Sequence, residues 1–145
     1  MSTYSIVQQL HSVMRYAVIV LVLMAIIQSL LGWLGKNPYT PFNKKINLFA
    51  LISAHTQLLV GIVLYFLSPL VQFNSTTMKN ETTRYFTVEH WVMMIIAIVL
   101  ITIGHSKSKK MTLPEAKHRI VFIFYGLALL VVIGALAAGH IAVLK

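Results

Sequence analysis

Cysteine and aspartate are absent from this 145-residue chain, and the acidic side chains number three in all. Without cysteine, the chain can form no disulfide, no thiolate metal site and no thioether bond to a cofactor. The three carboxylates are Glu81, Glu89 and Glu115, and a two-carboxylate hydrolytic mechanism would need distant loops to converge. These absences argue against disulfide-stabilised folds, cysteine chemistry and paired-carboxylate hydrolysis.

Charged residues are also scarce, at 10% of the chain, whereas hydrophobic residues make up 58%. A soluble domain carries about 25% charged residues, so this balance is typical of a membrane protein. Four apolar runs account for it, at residues 16–34, 48–67, 91–104 and 120–144. A transmembrane helix needs about 20 mostly apolar residues, and the third run reaches that length if it begins near Phe86.

The runs predict an all-α integral membrane protein, with one domain over residues 1–145. Short loops between successive spans favour an up-down-up-down bundle of four transmembrane helices. In that arrangement the first and third helices lie diagonally opposite each other, as do the second and fourth. We expect the spans at approximately 9–35, 46–67, 86–105 and 116–141.

The net charge of +9 comes mainly from two loops of the predicted bundle. They hold eight of the 12 basic residues, namely Lys36, Lys44, Lys45, Lys107, Lys109, Lys110, Lys117 and Arg119. Loops rich in lysine and arginine stay on the cytoplasmic side of a membrane, so we expect both termini outside (N-out/C-out). Topology and attraction to anionic membrane lipid thereby explain the charge, with no need for a nucleic-acid partner.

Histidines mark the end of the predicted bundle opposite those loops. His11 lies at the outer end of the first span, and His90 lies about one helical turn inside the outer boundary of the third. A b-type haem takes axial ligands from two facing helices at matched depth, which these two residues can supply. Arg15, one turn below His11, is suited to pair with a haem propionate. The alternative is that both histidines are ordinary interfacial residues.

His55 differs from these, because it lies near the middle of the second span. An ionisable residue inside the membrane favours a functional role, here as a hydrogen-bond partner of a quinone or as the ligand of a further site. The structural alternative is a neutral His55 bonded to Gln28 or to a backbone carbonyl. His105 and His118 lie among lysines at the cytoplasmic boundary, where we expect interfacial side chains that touch water.

Copper is a rival interpretation of the outer cluster, since Cu(I) prefers thioether and imidazole ligands. The candidate ligands are His11, Met14, Met78, His90, Met93 and Met94. Methionine also fills gaps in apolar cores without any metal. The remaining alternative is a small membrane subunit or assembly factor without a cofactor, in which the polar residues only pack helices.

Three stretches of the chain resemble a family of small bacterial four-helix membrane proteins that are labelled cytochrome b-like. They are LHSVMRYAVIVLVL, KKINLFALISAHTQLLVGIVLYFLSPLVQF and MKNETTRYFTVEHWVMMIIAIVLITIGHSKSKK. The matching positions are His11, Arg15, His55 and His90, and the resemblance implies haem. The layout is similar, more distantly, to the di-haem cytochromes that include quinone-coupled superoxide oxidases. It is also similar to membrane protoporphyrinogen oxidases, although these have lysine where Val92 stands here.

Residues and resemblance together predict a multi-pass protein of the bacterial inner (cytoplasmic) membrane that binds haem b through His11 and His90. We expect it to carry electrons between membrane quinone and an outer-face partner, either a redox protein or a larger membrane complex. Such a protein is either a quinone-linked oxidoreductase or an electron-transfer subunit, and the cofactor-free and copper-handling alternatives stay open beside it.

The charge pattern predicts the orientation of the chain in its membrane. A reporter fused after Lys110 should be cytoplasmic, and one fused after Lys79 should be external, because lysine-rich loops resist translocation. Fusions to alkaline phosphatase and to a fluorescent protein at both positions measure this. The opposite pattern would invert the predicted orientation.

Overall fold

Four long helices make up the protein, which we describe from a computed structural model covering residues 2–144, with side chains for residues 2–140. The helices are α1 (Thr3–Leu34), α2 (Pro41–Leu67), α3 (Glu81–Lys110) and α4 (Pro114–Leu144). Loops 35–40, 68–80 and 111–113 join them, and no strand occurs within residues 2–144. The predicted all-α four-helix bundle is confirmed. Each helix is longer than its predicted span, because polar residues beyond the apolar runs continue the helix.

Local sequence signals set where the helices begin. The Ser2 hydroxyl accepts a hydrogen bond from the Ser5 amide at 3.1 Å and so caps α1. At α2, Thr40 and Asn43 form a capping box, and Pro41 follows in the first turn, where an amide hydrogen is not needed. These signals lie outside the apolar runs, which is why the helices begin earlier than hydropathy alone predicts.

Alanines fill much of the bundle interior, whereas many large apolar side chains lie on its outside. The core contains Ala25, Ala50, Ala54, Ala97, Ala128 and Ala135, each at most 3% exposed. Large side chains such as Leu31, Leu59 and Leu130 are exposed. Lipid tails cover such a surface, and small residues let membrane helices approach closely. All four helices are long and apolar enough to cross a membrane, so the chain is a multi-pass membrane protein.

The helices pack as a ring in chain order. α1 contacts α2 and α4, and α3 contacts α4, whereas α2 and α3 are the least closely packed neighbours. α1 and α3 therefore lie diagonally opposite each other and run in the same direction. We call the end with loop 68–80 the histidine end, and the end with loops 35–40 and 111–113 the lysine end.

A polar network ties the helices together at the lysine end. The Gln28 amide of α1 donates to the Asn47 side chain of α2 at 3.1 Å and to the Asn43 carbonyl at 3.0 Å. Asn47 donates to the Tyr39 hydroxyl at 2.8 Å, and the Tyr125 hydroxyl of α4 donates to the Asn47 carbonyl at 2.9 Å. Burial raises the pKa of Tyr39 above its ordinary value, so the phenol stays neutral within this network.

The two histidines at the lysine end are buried, and the prediction that they touch water is wrong. His118 is 1% exposed and His105 is 5% exposed. The His118 ring packs against Gly32 and edge-on to Tyr39, with its Nε2 3.2 Å from the Pro38 carbonyl oxygen. Each histidine lies about one turn inside the end of its helix, and neighbouring elements cover that turn.

The packing of His118 against Gly32 gives a stability prediction. Gly32→Ala places a methyl group where the imidazole lies, so we expect the free energy of unfolding to fall by about 1–3 kcal/mol. Gly126→Ala is the matched control, since nothing lies within 4 Å of its added methyl group. That variant should be as stable or slightly more stable, because alanine is the better helix former. Thermal unfolding in detergent, followed by circular dichroism, measures both, and equal stability of the two variants would contradict this packing.

Candidate functional site

Two histidine rings meet at the histidine end of the bundle. His11 of α1 and His90 of α3 have ring centroids 6.4 Å apart, with an angle of 74° between the ring planes. Topology accounts for the contact, because the two helices run in the same direction and each histidine lies about two and a half turns from its helix start. The structure thus brings together the two residues that the sequence predicts as haem ligands. His140, at the same end, is exposed.

A π-helical turn at Tyr85–Glu89 sets the direction of the His90 side chain. The His90 amide donates to the Tyr85 carbonyl five residues earlier, so this turn contains one residue more than an α-helical turn. Side chains five apart on a regular α-helix point in different directions, but here Tyr85 and His90 share a side. The Tyr85 hydroxyl oxygen lies 3.1 Å from His90 Nδ1.

The Tyr85 hydroxyl determines which nitrogen of His90 carries the proton. Its single hydrogen is donated to the Ala135 carbonyl of α4, at an oxygen–oxygen distance of 2.6 Å. The hydroxyl can therefore only accept at its contact with His90 Nδ1, which must carry a hydrogen. A neutral imidazole has one N–H, so His90 Nε2 keeps a free lone pair and is the atom available to a metal.

Gly139 of α4 makes room for this arrangement. A Cβ atom added at Gly139 would lie 2.6 Å from the Tyr85 hydroxyl oxygen and 2.7 Å from Cζ of the same ring. Contacts that short do not occur between packed atoms, so any side chain here would push the phenol away. The absence of a side chain at residue 139 therefore allows Tyr85 to reach both α4 and His90.

Gln57 of α2 lies beside His11, although no hydrogen bond joins the two side chains. The Gln57 amide nitrogen of α2 donates to the His11 backbone carbonyl at 2.7 Å. His11 Nδ1 and the Gln57 side-chain oxygen are both buried and lack a hydrogen-bond partner among the described residues. Gly61, one turn further along α2, leaves space beside the ring, since an added Cβ would lie 3.4 Å from His11 Cε1. His11 Nδ1, a potential donor, and the Gln57 side-chain oxygen, a potential acceptor, thus lie unpaired on residues that are neighbours in the fold.

Arg15 places a positive charge close to the histidine pair. It lies one turn along α1 from His11, on the same side of the helix. The guanidinium packs over the Tyr16 ring at 5.0 Å and donates to the Tyr16 hydroxyl at 3.3 Å. Within residues 2–140, no carboxylate forms an ion pair with Arg15. The site therefore has a cation without an anionic partner from the described part of the chain.

His55 lies apart from the pair and faces α3. Its Nδ1 is 2.9 Å from the Leu51 carbonyl oxygen, and its Nε2 is 3.3 Å from the Thr102 hydroxyl oxygen. Thr102 follows His90 by twelve residues, or about 18 Å along the helix. His55 thus has the backbone-carbonyl contact of the structural interpretation, whereas Gln28 bonds elsewhere, at the lysine end.

The histidine pair offers a metal two protein ligands. Among the described residues, no three His, Asp or Glu side chains come close enough to hold one metal ion together. Two imidazoles suit an iron whose remaining ligands come from a macrocycle, as in a haem with two histidine ligands. The two imidazoles are compatible with that donor set.

Sequence reasoning missed the residues that support the pair. Tyr85 and His90 are five apart, a spacing that places no side chains together on a regular α-helix. Gln57 and Gly139 act across helix interfaces, and these contacts depend on helix rotations that hydropathy does not specify. The one available signal is a polar Gln57 inside an apolar run, which marks a side chain that needs a partner.

The tautomer of His90 gives a direct test of these hydrogen bonds. In protein with isotope-labelled histidine, nitrogen NMR should show a neutral His90 with its proton on Nδ1. Gly139→Ala displaces Tyr85 and should remove this preference, whereas Gly134→Ala, whose methyl group meets nothing within 4 Å, should keep it. A His90 that carries its proton on Nε2 in the unaltered protein would show that the hydrogen bonds are assigned wrongly.

Comparison with known proteins identified no relative of this chain. No protein-family model, curated protein or solved structure matches the chain. The resemblance of the three quoted stretches to cytochrome b-like proteins therefore stays a prediction, and the function rests on the histidines, the groups that orient them and the charge beside them.

Proposed function

We propose that the protein is a b-type haem protein of a bacterial inner membrane that transfers electrons, with His11 and His90 as the axial ligands. The observation that carries the proposal is the contact of two imidazoles from diagonal helices, with 6.4 Å between their centroids. Two imidazoles from separate helices at matched depth are what a haem with two histidine ligands would need.

Each imidazole has an oxygen that can fix its orientation, as metal-ligating histidines require. For His90 this is the Tyr85 hydroxyl, which leaves Nε2 as the ligating atom. For His11 the candidate is a hydrogen bond from Nδ1–H to the Gln57 side-chain oxygen, since both groups are buried and unpaired. That bond would satisfy two buried groups that otherwise lack partners, and unpaired buried groups are costly.

The charge of Arg15 favours haem over a bare metal ion as the occupant. A guanidinium repels a free cation, whereas it binds carboxylates such as the haem propionates through two parallel hydrogen bonds. Within residues 2–140, Arg15 has no carboxylate as an ion-pair partner. A propionate would supply that partner in a membrane, where an unpaired charge is costly.

The chain's own residues determine what chemistry the site performs. When bound, haem supplies a one-electron carrier. His11 and His90 would hold the haem, and Tyr85 would keep His90 in the ligating tautomer. Under the predicted topology the site lies in the outer half of the membrane, close to an outer-face redox protein or a larger membrane complex. Membrane quinone is the second proposed partner of the electron transfer.

Absorption spectra of the purified protein test the ligand assignment. We expect a reduced-minus-oxidised spectrum of low-spin haem b, which His11→Ala or His90→Ala should abolish or convert to a high-spin form. His140→Ala is the matched control, because this histidine is exposed at the same end, and its spectrum should be unchanged. A featureless spectrum from the unaltered protein would overturn the proposal and favour a cofactor-free subunit, and bound copper would favour a copper-handling protein.

Haem retention tests the role of Arg15. Arg15→Gln removes the charge near the propionates, so we expect haem loss to a scavenger protein to be about tenfold faster, as for a lost hydrogen bond to a charged group. Lys79→Gln, in loop 68–80, is the control and should not change the rate. Equal rates in both variants would mean that Arg15 does not contact a propionate.

A further inference from the structure

A groove of about 220 Å³ lies between α2 and α3, the least closely packed neighbours. Its lining is aliphatic apart from two polar residues, and consists of His55, Leu58, Ile95, Ile98, Val99, Thr102 and Ile103. Three of the aliphatic side chains are exposed, so the groove opens toward lipid. His55 lies fourteen residues after the start of α2 and twelve before its end, which places the groove in the hydrocarbon.

The polar groups at the base of this groove make three contacts but carry only two hydrogens for them. His55 Nδ1 lies 2.9 Å from the Leu51 carbonyl, which can only accept, so Nδ1 carries the hydrogen and Nε2 a lone pair. Nε2 faces the Thr102 hydroxyl at 3.3 Å, but that hydroxyl donates its single hydrogen to the Ile98 carbonyl at 2.7 Å. Two lone pairs therefore face each other. This 3.3 Å contact between His55 Nε2 and the Thr102 hydroxyl is longer than the 2.9 Å and 2.7 Å hydrogen bonds beside it.

Three sources could supply the missing hydrogen. A second proton on His55 would place a charge in hydrocarbon, with no carboxylate among the lining residues to offset it. A water molecule needs two to four polar partners, and the groove is otherwise aliphatic. A bound molecule with a hydroxyl donor on an apolar body meets the need without a charge and without further polar groups.

We propose that the groove binds the head group of a membrane hydroquinone, whose hydroxyl donates to His55 Nε2. Its volume is below the roughly 300 Å³ at which pockets that enclose a whole ligand begin, so it takes the ring while the isoprenoid tail stays in lipid. The oxidised quinone has only acceptors at those positions and would set another lone pair against Nε2. The groove therefore prefers the reduced form.

The inference rests on the proposed function in that it names the redox form of membrane quinone that the protein binds. Binding itself depends only on His55 and the groove. The two proposals can therefore fail separately, because haem ligation is assigned to residues at the histidine end, about 18 Å away along α3.

Binding of decylubiquinol to the purified protein in phosphatidylcholine nanodiscs tests this site, with empty nanodiscs as the blank. The comparison ligands are decylubiquinone and the dimethyl ether of decylubiquinol, which keep the apolar body and lack the hydroxyl donor. We expect the hydroquinone to bind about tenfold more tightly than either, as for one additional hydrogen bond. In His55→Leu this preference should disappear.

Thr56→Val is the matched protein control. The Thr56 hydroxyl donates to its own helix at 2.8 Å, as Thr102 does, but the residue is exposed and does not line the groove. This variant should keep the preference for the hydroquinone, and circular dichroism should show that His55→Leu retains its helices.

Haem spectra of the same samples separate the two proposals. Equal binding of the three ligands, or a hydroquinone preference that persists in His55→Leu, would overturn the groove as the site even where the haem spectrum is present. A hydroquinone preference lost in His55→Leu would support the groove even in a protein without haem, in which case only the proposed ligation by His11 and His90 would fail.

Discussion

Hydrocarbon offers no hydrogen-bond partner, so each polar side chain inside this bundle has to find one within the protein or in a ligand. The helices satisfy their own backbones, which leaves the side chains as the groups still to be paired. At the lysine end Gln28, Asn47 and Tyr39 pair with one another or with backbone and thereby join the first two helices. Where the side chains inside the bundle have unequal numbers of donors and acceptors, a bound ligand can supply the missing hydrogen-bond partner.

The same rule gives opposite results at two hydroxyl–histidine contacts. Tyr85 and Thr102 have each given their single hydrogen to a backbone carbonyl, so each can only accept from a histidine. His90 meets this condition, because its Nδ1 has no other acceptor and donates to Tyr85. His55 does not, because its N–H is already committed to Leu51. Both histidines are therefore held with the proton on Nδ1, but only the Nε2 of His55 faces a hydroxyl that has already given its hydrogen away.

Hydropathy and charge were sufficient to predict the four helices, because length and apolarity decide whether a segment can cross a bilayer. The approach of His11 to His90 could also be foreseen, since the chain order makes the first and third helices parallel. The burial of His105 and His118 could not, because hydropathy does not show that helices continue past the apolar runs. The role of Tyr85 depends on a π turn and on the rotation of α4, neither of which a local sequence pattern specifies.

The π turn has a consequence for how α3 tolerates changes in length. It amounts to one residue inserted into an α-helix. Deleting one residue between Tyr85 and His90 would restore a regular α-helix and leave the two side chains four residues apart, a spacing that also places them on one side of the helix. The π turn therefore absorbs one residue of length at the histidine site, and the segments of α3 on either side of it keep the faces that they would have in a continuous α-helix.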